Sequence, residues 1–178
     1  MQQNDLWVFG YGSLLWRPGF EYVERRVATL RGFNRSFCMS SIHYRGTSVI
    51  PGLVLALDAD QQGECHGVGF RVAPDMAEDT MAYLRERELI SSAYVEQIHS
   101  ITFHKGGAAD AVCYVMDPSH EQYVGGLSIE EQAVIIATAS GSAGPNDEYL
   151  FNTVAHLVEL GISDPELERL MTLVHAAD

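Results

Sequence analysis

Two short stretches carry residue types that could do chemistry: "FGYGSLLW" at residues 9–16 and "AYLRERE" at residues 82–88. In the first, Gly10, Tyr11, Gly12 and Ser13 directly follow an apolar run. Glycine costs entropy on folding and contributes no packing, so such a cluster lets something approach the backbone closely. A polar or anionic ligand atom meeting exposed N–H groups is one use of it, and a tight structural turn is the other. In the second stretch, Ala77, Met81 and Leu84 are spaced as the inward stripe of an amphipathic helix. One further step lands on Glu88, whereas Glu86, about 200° round at about 100° per residue, faces solvent. A carboxylate on an inward stripe must be paired or used. Arg85 or Arg87 could pair with it. Alternatively, partial burial raises its proton affinity and makes it a general base.

Other chemistries fail on spacing. Gly10-x-Gly12 lacks the third glycine of a dinucleotide fingerprint, with Leu15 there instead, and Arg17-Pro18-Gly19 interrupts the helix that should follow. No Gly-Lys-Ser/Thr ending makes a P-loop, and "GYGSLL" is not a nucleophile elbow around Ser13. His43, His66, His99 and His104, with Cys65 beside His66, show no metal-ligand spacing, so no metal is expected.

The elements that must position these residues change character along the chain. β-Branched and aromatic runs at residues 6–9, 27–38, 52–57, 67–72, 94–103 and 111–116 predict strands, with "DADQQG" at 58–63 as a turn. Asp75 with Glu78 predicts a helix start, and the helix runs to Glu88. Ser128 with Glu131 opens a second helix towards Gly141, residues 147–160 form a third, and Ser163 with Glu166 opens a fourth. Strands first and helices later, without βαβ alternation, predict an α+β fold with a curled or barrel-like sheet.

The 178 residues suit a single domain spanning 1–178. Eleven basic against 24 acidic residues give a net charge of −13, which repels nucleic acid and anionic membrane surfaces. The first ten residues lack the pattern of a signal peptide. No apolar run reaches the roughly 18–20 residues of a membrane span. Cys38, Cys65 and Cys113 are sparse and odd in number, which reads as free thiols in a reducing compartment. A cytoplasmic protein is expected. No pattern in the sequence marks an oligomeric interface.

Residues 7–20, "WVFGYGSLLWRPGF", closely resemble the opening of the ChaC family of γ-glutamylcyclotransferases. The resemblance continues through residues 35–47, 51–58 and 67–72, then 82–88 and "DEYLFNTV" at 147–154. It implies a mixed α/β fold around a small β-barrel, and cleavage of glutathione to 5-oxoproline and cysteinylglycine without metal or organic cofactor. By match to the family's motifs, Val8, Phe9, Gly10, Tyr11, Gly12 and Ser13 would hold the γ-glutamyl group and Glu88 would be the general acid/base. Tyr149 would lie near the substrate, and Asp79 falls on an acidic position of weaker role. Relatives often carry glycine after the glutamate, where this chain has Ser91-Ser92. The same chemistry would suit γ-glutamyl amino acids or γ-glutamylamines as substrates, and a catalytically silent binding protein would also retain the loop. Arg35 and Arg45 are candidate carboxylate anchors that could equally be structural.

Overall fold

A continuous apolar run forms β1 (Leu6–Gly10), whose last three residues are buried. In the computed structural model, which describes residues 5–90 and 92–177, β1 belongs to a closed five-stranded barrel. The other strands are β2 (Glu24–Ser41), β3 (Gly52–Val72), β4 (Tyr94–Phe103) and β5 (Ala108–Met116), in the order β1-β3-β2-β4-β5, with β3 also pairing β5. β1 lies antiparallel to β3, with Val8 opposite Phe70, and parallel to β5 at Val8 and Val112. The mixed α+β architecture with a barrel agrees with the sequence-based expectation.

Two compact units share the chain, residues 1–35 with 57–117 and residues 36–56 with 118–178. In the first, a four-residue helix α1 (Ser13–Trp16) follows β1, and α2 (Ala77–Glu88) follows β3. Val8, Leu14, Val72, Leu84, Val112 and Tyr114 form one buried cluster, so the inward stripe of α2 packs on the strands that carry the glycine loop. Gly10 is required by close approach: an added Cβ would lie 2.9 Å from Phe70 Cε2 and 3.2 Å from Leu14 Cβ. Gly19 has φ +75°, and a Cβ there would collide with the Tyr83 hydroxyl.

The second unit contains α3 (Ile129–Thr138), the short strands β6 (Ser140–Gly141) and β7 (Gly144–Pro145), α4 (Asn146–Glu159) and α5 (Pro165–Ala176). Ser128 and Glu131 form the expected capping box. The buried Asn146 side chain accepts from the Leu53 N–H and donates to the Leu53 carbonyl, both at 2.8 Å, so α4 begins on a strand's own hydrogen-bonding groups.

Four local expectations change. Residues 58–63 are continuous strand within β3. Asp60 does accept from the Gln62 N–H as a turn would require, but it also accepts from Asn34 Nδ2 of β2 at 2.7 Å, and this cross-strand contact favours the extended chain. Asp75 caps nothing: Pro74–Met76 is a 3₁₀ turn, and α2 starts after Met76 without a side-chain cap. The helix opened by Ser128 stops at Thr138, because Ala139 turns extended and Ser140–Gly141 pairs as a strand. Asp164, not Ser163, caps α5 by accepting from the Leu167 N–H.

Leu84 is wholly buried on the α2 stripe. Leu84→Ala should cost about 2–5 kcal/mol in urea unfolding through the cavity it leaves in the cluster with Val8, Val72 and Tyr114. A loss below about 1 kcal/mol would show that α2 is not seated through this stripe.

Candidate active site

At the C-terminal end of α2 the stripe does what its spacing implies. Glu86 is exposed, while the Glu88 side chain keeps only 15% of its surface. Burial raises the proton affinity of Glu88, and the neighbouring Arg87 guanidinium partly offsets this. Arg87 Nε stands 3.4 Å from Glu88 Oε1.

Arg87 also reaches the glycine loop. Its Nη2 donates to Ser13 Oγ at 3.0 Å, and its Nη1 donates to the carbonyls of Arg17 at 2.6 Å and Pro18 at 3.1 Å. The Tyr83 hydroxyl, one turn earlier on α2, accepts from the same nitrogen at 3.1 Å. Loop and carboxylate are thus brought together by one side chain.

The loop itself is held from the barrel side. Tyr11 donates its hydroxyl to the Tyr114 carbonyl, and the buried Arg35 donates Nε to the Tyr11 carbonyl at 2.7 Å. Arg35 also donates to the His66 carbonyl. In a trans peptide the carbonyl and the following N–H point opposite ways, so fixing the Tyr11 carbonyl towards Arg35 aims the Gly12 N–H away from it. Val8 and Phe9 have no exposed surface and their side chains are core, whereas Ser13 is partly exposed. Gly10, Tyr11 and Gly12 are buried too, so Ser13 is the most exposed residue of the loop.

A second polar set lies beside α2. Arg85 is exposed and grips Glu96 of β4 with two bonds, at 3.1 and 3.0 Å, and Glu96 also accepts from the Tyr114 hydroxyl at 2.9 Å. The Arg85 bonds hold Glu96 below the usual carboxylate range. Burial first, then the Glu96 bond and the nearby Glu88 charge, push the Tyr114 phenol well above its ordinary range. Tyr114 escapes sequence reasoning because it sits in an apolar strand, "AVCYVM", with nothing local to mark it.

Tyr149 belongs to the second unit, one turn after Asn146 on α4. Its hydroxyl accepts from the Leu55 N–H at 3.2 Å, its ring meets Phe37 edge-on, and the Arg45 guanidinium lies over it at 5.7 Å. Arg45 donates to the Pro145 carbonyl and pairs with Glu148. Both candidate anchoring arginines therefore serve internal contacts. Asp79 is exposed on α2. Ser92 adopts φ 61°, the left-handed turn that glycine favours, and Ser91 lies outside the described residues.

The histidines have other partners. Thr29 Oγ1 lies 2.7 Å from His66 Nδ1 and 2.9 Å from His104 Nε2, while His99 meets Phe33 and Gln97. Among the described residues no group of three or more His, Cys, Asp or Glu is arranged to hold a metal ion, and no helix is long and apolar enough to cross a membrane.

Comparison with known proteins adds to this geometry. The family described as ChaC-like protein matches residues 6–177. The Escherichia coli K12 protein named glutathione-specific γ-glutamylcyclotransferase is 35% identical over 172 residues, covering 97% of this chain and 74% of its own. Human glutathione-specific γ-glutamylcyclotransferase 1 is 34% identical over 175 residues, covering 96% and 78%. A crystal structure of the yeast γ-glutamylcyclotransferase specific to glutathione superposes with a TM-score of 0.88 at 24% identity, over 97% of this chain and 96% of that one, which supports the fold.

The raised proton affinity of Glu88 has a consequence for stability. The folded state binds this proton more tightly than the unfolded chain, so stability falls as pH rises through the folded-state value. Glu88→Gln removes that penalty. It should melt above wild type at pH 7.5, and the gap should close by about pH 4, near the unfolded carboxylate value. Equal melting temperatures at both pH values would show that burial does not strain this carboxylate.

Proposed function

This chain belongs to the ChaC-like protein family, and from that premise we propose that it is a glutathione-specific γ-glutamylcyclotransferase, a lyase with Glu88 as its general acid/base. The observation that carries the reading is a half-buried carboxylate of raised proton affinity, tied through Arg87 to a loop rich in backbone donors.

A γ-glutamyl amide contains its own nucleophile. Its α-amine can reach the γ-carbonyl carbon and close a five-membered ring, so the protein supplies no serine, cysteine or metal for the attack. Holding that ring-closing conformer substitutes for effective molarities of about 10⁵ M or more in well-oriented cases. Glu88 takes a proton from the α-ammonium, the amine nitrogen bonds to the γ-carbon, and a tetrahedral intermediate forms. The bond from the γ-carbon to the cysteine nitrogen then breaks as Glu88 returns the proton to that nitrogen, and the ring nitrogen gives up its second proton through Glu88 to the departing amine, which leaves as an ammonium. The products are 5-oxoproline and cysteinylglycine, and no water is consumed. Backbone N–H groups of Gly10, Tyr11, Gly12 and Ser13 offer hydrogen bonds to an anionic oxygen of the γ-glutamyl group, with the Gly12 N–H oriented by the Arg35 bond to the Tyr11 carbonyl. Val8 and Phe9 form the buried base of this loop. A reducing, cytoplasmic setting accords with Cys38, Cys65 and Cys113, all buried and outside any disulfide.

The test is release of 5-oxoproline, quantified by mass spectrometry, from glutathione, γ-glutamylalanine and γ-glutamyl-ε-lysine in parallel. Release from glutathione is expected, and Glu88→Gln should reduce it by about 10²–10⁴-fold. The rate should fall on acidification at a pH above the ordinary glutamate value of about 4.3, because burial raises Glu88. Release from another substrate alone would change the substrate and keep the mechanism, and none from any would overturn the enzyme reading.

A further inference from the structure

We propose that Arg87 is a positioning residue with two separable jobs: its fork fixes the segment from Ser13 to Pro18 in its substrate-binding arrangement, and its charge keeps Glu88 ready to accept a proton. The proposal rests on the cyclotransferase reading above and goes beyond it.

The two arginines of "RERE" have the same type and divergent placements. Arg85 is spent on Glu96, facing the barrel. Arg87 keeps 20% of its side-chain surface and is committed to four acceptors: Ser13 Oγ, the Arg17 and Pro18 carbonyls and the Tyr83 hydroxyl. Three of these lie on the segment after β1, and the Arg17 and Pro18 carbonyls follow α1, where no further helical turn takes them up. Gly19 completes the contact, since any side chain there would displace the Tyr83 hydroxyl from Arg87. A planar guanidinium can serve such a spread of acceptors at once, whereas an ammonium is a point donor on a flexible stem.

The electrostatic job follows from what surrounds Glu88. Arg87 faces it from α2, and the Tyr114 phenol faces it from β5. Behind that phenol, Glu96 of β4 is neutralised by Arg85 of α2. Burial favours the protonated carboxyl, and Arg87 opposes it.

Two variants separate the jobs, each assayed with glutathione across pH beside wild type and Glu88→Gln. Arg87→Lys retains the charge and loses the fork. Its acid limb should stay in place while KM rises about 10-fold or more, the worth of a lost charge-assisted hydrogen bond. Arg87→Met loses both, so KM rises similarly and the acid limb moves to higher pH. Amide hydrogen exchange at residues 14–17 should quicken in both variants, a readout independent of turnover. A purely structural role would lower the folded fraction and leave KM and the limb of the folded enzyme unmoved. Where Arg87→Met fails to fold, Arg87→Lys decides: wild-type KM and wild-type exchange would overturn the fork, and a shifted limb would overturn the charge role. Active wild type with indifferent Arg87 variants refutes this proposal alone. Wild type that releases no 5-oxoproline refutes the cyclotransferase reading and this proposal with it.

Discussion

The hydrogen bonds from Arg87 to Ser13, Arg17 and Pro18, together with its 3.4 Å approach to Glu88, fix a donor-rich loop against a carboxylate from a different element. The rest of the first unit serves that constraint. β1 delivers the loop from the barrel, the Leu84 stripe seats α2 beside it, Gly19 removes the atoms that would hold the two apart, and Gly10 lets the loop close on Phe70 and Leu14. Arg35 of β2 also grips the loop, through the Tyr11 carbonyl. Two buried or half-buried cations therefore act on one loop, which explains how a chain of net charge −13 can still handle an anionic small molecule. Global charge sets the far field, while fixed local donors set the site.

The chemistry explains why the site looks sparse. An intramolecular amine needs no activated side-chain nucleophile, so the protein's work reduces to folding the substrate, passing protons from the attacking to the departing nitrogen and meeting negative charge. Each task maps to a feature with a structural cost. The carboxylate is desolvated, the loop forgoes side-chain packing, and Ser92 takes a left-handed backbone just after α2. Such concessions gather at functional sites.

Much of this was legible in local patterns. The 3.6-residue stripe through Ala77, Met81 and Leu84 separated Glu88 from Glu86 correctly, and the β-branched and aromatic runs located β4 and β5. What escaped was decided by contacts distant along the chain. Residues 58–63 carry turn composition yet stay extended because Asp60 meets Asn34 across the sheet. Asp75 and Ser163 satisfied a spacing rule, but Pro74 began a 3₁₀ turn and Asp164 stood nearer its N–H partner. The division of labour between Arg85 and Arg87 depends on which neighbour each meets, Glu96 or the loop, and neither lies within ten residues of its arginine. Tyr114 is polar only at its tip, and its strand reads as core.

The most direct measurement is a crystal structure of the Glu88→Gln protein with intact glutathione bound. The account predicts the α-amine within hydrogen-bonding distance of the residue 88 side chain, the γ-carbon within reach of that amine, and an anionic or carbonyl oxygen of the γ-glutamyl group on the N–H groups of residues 10–13. A γ-glutamyl group bound with its amine turned away from residue 88, or seated off the loop, would contradict it.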